Sequence, residues 1–114
     1  MSYDLRLAVK TEYGSFVEIG APDYDSPTYN LGEMFRACTG WDYNQGEYYK
    51  CSEVIDKIEH GIRELTCNRS EYLQYNPPNG WGDLPGALMC LISLRDYIYE
   101  RGEDIPLEYL YVAW

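Results

Sequence analysis

Positive charge and histidine are what this sequence has least of. Nine Lys and Arg residues stand against nineteen Asp and Glu, for a net charge of −10 at pH 7 and a pI near 4.3. Free DNA, free RNA and anionic membranes are held by Lys and Arg, so direct binding to any of them is not expected. A field of this sign speeds association with basic surfaces instead. It also keeps an ordinary protein soluble, and charge alone does not separate the two accounts.

Metal and redox chemistry lack their usual residues as well. The only histidine is His60, and the cysteines Cys38, Cys51, Cys67 and Cys90 form no C-x-x-C pair. Zinc sites usually draw ligands in close pairs, so no metal centre is expected. Met1 opens a polar, strand-like segment rather than a secretory leader, which argues for reduced thiols in the cytoplasm and against a disulfide framework. The longest apolar run, Gly86 to Leu94, is too short to cross a bilayer. Phosphate-cradling glycine loops of the P-loop or dinucleotide type are missing, and no cofactor is expected.

Catalytic constellations are thin. Cys67 lies two helical turns from His60, but no third group orients the imidazole, and a solvated histidine beside Glu59 and Glu64 is the simpler account. The carboxylate pairs Asp23/Asp25 and Glu103/Asp104 fall in loop-like segments with nothing apolar adjacent to raise a pKa. An enzyme is not expected.

What is present is tyrosine. The chain holds 13 Tyr and 3 Trp against 2 Phe. A tyrosine ring with its polar tip suits both the edge of a small core and an interface, and composition leaves both open. At 114 residues with 46% hydrophobic content, residues 1–114 form a single acidic domain with enough apolar material for a core.

Periodicity then orders the chain. Tyr3, Leu5, Leu7 and Val9 alternate with Asp4, Arg6 and Ala8, a half-buried strand. Phe16 to Ile19 supplies a second strand after a turn at 12–15, which makes a hairpin. Residues 21–29, with two prolines, form a long loop. Asn30, with Glu33 three positions on, reads as a helix cap; Leu31, Met34, Phe35 and Cys38 form an apolar stripe, and Gly40 ends that helix. Residues 41–50 read as a second irregular stretch. Ser52 reads as the cap of a helix burying Val54, Ile55, Ile58, Ile62 and Leu65. A short helix over 69–75 must stop before Pro77. Asp83 caps the longest helix, with Pro85 in its first turn and Gly102 at its end. Tyr109 to Trp114 alternates as a closing strand. The expected fold is therefore α+β: an N-terminal β-hairpin plus a C-terminal strand in an antiparallel sheet, packed on three to four helices.

Acid and aromatic residues interleave in the two loops: Asp23-Tyr24-Asp25 in the first, Trp41-Asp42-Tyr43 and Glu47-Tyr48-Tyr49 in the second. Carboxylates on a surface can stand where phosphates would and pair with Arg and Lys, while tyrosine rings stack on guanidinium groups. The expected partner contacts are Asp23, Tyr24, Asp25, Asp42, Glu47, Tyr48 and Tyr49. Trp81, between two glycines, is either an exposed anchor or a cover for the core.

Four strings carry a resemblance: Thr28-Tyr29-Asn30-Leu31-Gly32, Arg36 through Asp42, Asn79-Gly80-Trp81-Gly82 and Leu110 through Trp114. Together they resemble small acidic proteins carried by prophages and mobile elements of Gram-positive bacteria. Proteins of this general kind include anti-CRISPR inhibitors of Cas nucleases, several of which imitate DNA. The strings have no assigned chemical role, so no functional residue transfers with the resemblance. It implies an anti-defence inhibitor in the cytoplasm of a bacterial host. Such a protein binds a basic nucleic-acid-binding surface of a Cas9-type CRISPR effector nuclease by DNA mimicry. The alternatives are a small-molecule or nucleotide sponge, which the negative charge opposes, and a non-catalytic interaction protein of a mobile element.

Overall fold

The hairpin forms where alternation places it. The computed structural model describes residues 2–24, 26–80 and 82–114; Met1, Asp25 and Trp81 lie outside the described residues. Strands β1 (Arg6–Lys10) and β2 (Phe16–Gly20) pair antiparallel. Their turn is closed by the Thr11 N–H donating to the Ser15 carbonyl at 2.7 Å, with Gly14 at φ +84°. Residues 3–5 keep the in-out alternation but leave the ladder. The Tyr3 N–H instead donates to the Pro27 carbonyl, at 2.7 Å, and Ser2 bridges Thr28.

Two further strands complete the sheet, β3 (Tyr49–Lys50) and β4 (Leu110–Ala113), in the antiparallel order β2-β1-β4-β3. β3 was not expected: two residues carry no period. β4 is central, and Leu110, Val112 and Trp114 are buried as its alternation predicts.

Helix starts depart from the sequence reading at two places. Thr28, not Asn30, is the first cap: its Oγ1 accepts from the Asn30 N–H at 3.3 Å and opens a 3-10 turn over Tyr29–Leu31. Helix α1 (Gly32–Thr39) continues from that turn and ends at Gly40, φ +69°. Helix α2 (Cys51–Cys67) has no side-chain cap, and Ser52 sits inside its first turn. The cause is local, because β3 runs directly into the helix and extended Lys50 is the residue at the boundary. Helix α3 (Arg69–Tyr72) and a 3-10 turn over Leu73–Tyr75 follow, stopping before Pro77. Helix α4 (Leu84–Gly102) is capped as expected, Asp83 Oδ1 accepting from the Gly86 N–H at 2.8 Å.

Helices cover one face of the sheet, and one hydrophobic cluster joins Leu7, Leu110 and Val112 to Phe35, Ile58, Leu91 and Leu94. The α+β expectation holds. Helices α1, α2 and α4 meet at Gly61, where a Cβ would lie 2.6 Å from Thr39 Cγ2 and 3.1 Å from Leu91 Cδ1. Close approach there requires glycine. A second packing centre surrounds Trp114, whose ring lies 4.5 Å from Tyr43, 4.8 Å from Phe35 and 5.4 Å from Trp41. Among the described residues no helix is long and apolar enough to cross a membrane.

The other face of the sheet closes itself. Phe16 on one edge strand and Tyr48 beside the other stack at 4.1 Å with 10° between planes. Lys10 lies over the Phe16 ring and Arg6 over the Tyr48 ring, at 5.7 and 5.5 Å. Small residues in the central strands, Ala8 and Ala113, lie fully buried on that face. Arg6 Nε also donates to the Tyr48 hydroxyl at 3.2 Å, and Tyr111 packs edge-on to Phe16 at 5.0 Å, so the pair is engaged within the protein itself.

Candidate functional site

The predicted contact residues separate into two places. Asp23 and Tyr24 lie against α4, held through backbone rather than side chain. The Tyr24 N–H donates to Ser93 Oγ at 3.2 Å, and its carbonyl accepts from the Cys90 thiol at 3.7 Å. The backbone donor and acceptor of a single residue are satisfied by two α4 residues three apart, so the Tyr24 ring stays half exposed above the helix while its backbone is fixed. Where β2 ends, Gly20 at φ +154° leaves room for Tyr97: an added Cβ would sit 1.9 Å from the Tyr97 hydroxyl. Asp25 lies outside the described residues.

The 41–50 segment is built differently from the expectation. Trp41 and Tyr43 are buried against Trp114, not presented on a surface loop. Tyr43 donates to the Tyr3 hydroxyl at 2.8 Å, and burial with that bond pushes its phenol well above the ordinary value. Tyr48 is committed to Phe16 and accepts from Arg6 Nε at 3.2 Å. Tyr49 packs edge-on to Trp41, accepts from the Asn44 N–H at 2.7 Å and donates to Glu47 at 3.2 Å. Asp42 and Glu47 remain exposed carboxylates, but the rings around them hold the segment to the core. Among the described residues no hydrogen bond or ring contact joins Asp23 or Tyr24 to the 41–50 segment.

What gathers at Asp23 is a groove of about 520 Å³ along α4. Its floor is Met89, Ile92 and Tyr97; its rim carries Asp23, Asp96 and Glu100. No Lys or Arg is among its lining residues. Arg95 reaches Asp96 at 2.9 Å from outside the groove and offsets part of that charge. Asp23 and Glu100 have no cationic partner among the described residues. A second hollow of about 380 Å³ adjoins it, floored by Leu31, Pro27 and Cys90, with Asp23 and Tyr24 shared between the two. Tyr24 is therefore a ridge between two hollows, and Asp23 faces both.

No protein-family model matches the chain, and neither does any curated protein or solved structure. The functional reading therefore rests on this geometry and on the residues themselves.

Sequence reasoning missed Asp96, Glu100, Met89 and Tyr97. One signal was there to find. The 84–94 half of the segment is apolar nearly all round, the pattern of a helix covered on every side. Yet Met89 is 47% exposed and Tyr99 is 45% exposed. Elsewhere the chemistry is quiet. Burial pushes the Cys38, Cys51 and Cys90 thiols up to about 12, which holds them protonated at neutral pH. Cys67 is exposed, and His60 Nε2 lies 3.6 Å from Glu64. Among the described residues no group of three or more His, Cys, Asp or Glu is arranged to hold a metal ion.

Proposed function

We propose that this chain is a non-catalytic inhibitor that binds a basic, nucleic-acid-binding surface of another protein in the bacterial cytoplasm, of the kind a Cas9-type CRISPR effector nuclease offers. Its carboxylates take the places of DNA phosphates and pair with arginines and lysines that normally hold DNA. The observation that carries the reading is the α4 groove. Asp23, Asp96 and Glu100, drawn from two distant parts of the chain, converge on one site that no Lys or Arg lines. The net charge of −10 adds a long-range attraction of the same sign.

The test compares two charge reversals in a DNA-cleavage assay with a panel of Cas9-type nucleases. Asp23→Lys with Glu100→Lys should abolish inhibition while far-UV circular dichroism stays unchanged. Asp42→Lys with Glu47→Lys, on the separate 41–50 segment, should weaken it less. Affinity should also drop as salt rises from 50 to 300 mM, because the attraction between exposed charges is screened beyond about 8 Å at 0.15 M. Undiminished inhibition by the first variant would remove the mimic mechanism.

A further inference from the structure

We infer that the α4 groove receives a short extended polypeptide segment in which an Arg or Lys has an apolar residue two positions away on either side, one for each hollow, so that all three side chains share one face. This rests on the reading above and narrows it: the partner is met partly through apolar anchors, not only through charge. A phosphate mimic needs carboxylates on a water-filled surface and nothing beneath them. Here the carboxylates rim an apolar floor, Met89 and Ile92 on one side of Tyr24 and Leu31 on the other. The two hollows, about 520 and 380 Å³, each fall within the roughly 300–1,000 Å³ range of ordinary ligand sites.

Three features identify the occupant. First, charge: Asp23 lines both hollows and Glu100 stands at the far end, with no Lys or Arg in either lining among the described residues. A cation placed over Asp23 is matched, and an anion is repelled. Second, apolar surface: over residues 84–94 α4 carries hydrophobic residues nearly all round, but it packs mainly on α2, with α1 as a lesser neighbour, which leaves part of that surface uncovered. Met89 and half-buried Ile92 are left facing the groove. Third, length: Gly86 and Glu100 line opposite ends and lie about 20 Å apart along the helix axis, room for a segment of six or so extended residues. The fixed Tyr24 backbone keeps the ridge in place before anything binds, so little ordering cost falls on the association. The half-exposed Tyr24 ring offers a stacking surface to the guanidinium of the central residue.

Capped seven-residue peptides test this on the whole chain, followed by amide chemical shifts. The probe is Gly-Leu-Ser-Arg-Ser-Leu-Gly, which puts Leu, Arg and Leu on one face when extended; the controls are the same peptide with both Leu replaced by Ser, and with Arg replaced by Glu. The probe peptide should shift amides of residues 23–24 and 86–100 in a saturable way. Each control should bind at least tenfold more weakly, and Met89→Ser should weaken the probe peptide by a similar factor with an unchanged melting temperature. Equal binding by the leucine-free control, or shifts confined to other surfaces, overturns the inference. So does a shift of the same amides on raising protein concentration without peptide, which would make a second copy the occupant. These outcomes are independent of the nuclease assay. Loss of inhibition in Asp23→Lys with Glu100→Lys, together with no preference for the probe peptide, keeps the charge mechanism and removes only the anchors.

Discussion

Replacing Gly61 by alanine is the sharpest probe of how α4, and with it the groove, is held. On an exposed helix Gly→Ala gains up to about 1 kcal/mol from propensity. Here the new methyl would meet Thr39 Cγ2 at 2.6 Å, Leu91 Cδ1 at 3.1 Å and Cys38 Sγ at 3.3 Å. The Leu91 tip can rotate aside. Thr39 cannot, because its Oγ1 donates to the Phe35 carbonyl at 2.6 Å and accepts from the Trp41 N–H at 3.1 Å. Overpacking a close-packed site costs about 1–3 kcal/mol, and the locked Thr39 puts this site at the upper end, so after the propensity gain the net loss should be about 2 kcal/mol. For a domain of this size that lowers the melting temperature by roughly 8 °C. Thr39→Ser supplies the control, since it keeps the hydroxyl and removes the obstructing methyl. In that background Gly61→Ala should be neutral or stabilising, a coupling of about 2 kcal/mol between the two sites. Urea titrations followed by tryptophan fluorescence measure all four corners of the cycle. A Gly61→Ala protein as stable as its parent, or an equal loss in both backgrounds, would refute the claim that three helices close on this glycine.

Further expectations concern the α4 cap and the thiols. Asp83→Ala removes the acceptor for the Gly86 N–H and should cost about 1 kcal/mol, read from the urea midpoint; no change would mean that water replaces the cap. Ellman's reagent at pH 8 should label one thiol, Cys67, at once and the other three only as fast as the protein opens; a second fast thiol would contradict the burial of Cys38, Cys51 and Cys90. Those three stay protonated in the folded state up to about 12, against an ordinary value of 9.0. Between these two values the unfolded chain releases thiol protons that the folded chain retains. The contribution of these thiols to stability should thus be constant well below pH 9 and be lost as pH rises through that window. Cys51→Ala should make the fall shallower, and an identical slope would contradict the assignment.

The strands were legible because their side chains alternate over a sheet with one covered face. Leu5, Leu7, Leu110 and Val112 could be placed from spacing alone. The helix starts were less so. Thr28 outcompetes Asn30 as a cap because a 3-10 turn precedes α1, and nothing in residue type distinguishes an α from a 3-10 opening. Trp41 and Tyr43 alternate with Asp42 and Asn44, a strand-like pattern at residues 41–44 that lie outside the sheet, and its apolar half is drawn in by Trp114. The candidate site was half visible. Asp23 and Tyr24 announced themselves by composition, whereas Asp96 and Glu100 belong to the site only because Ser93 and Cys90 pin a loop some seventy residues earlier onto α4.

The central pairing of the sheet has a kinetic meaning. β1 and β4 join residues 6–9 to residues 110–113, so roughly a hundred residues must be looped before that ladder can form. Closing a loop of that size costs about 4 kcal/mol of chain entropy, recovered only once both strands dock. The helices, whose contacts are local, are free to assemble first. Until β4 arrives, β1 presents an unpaired flank along Arg6–Lys10, the kind of edge through which nascent chains stick to one another.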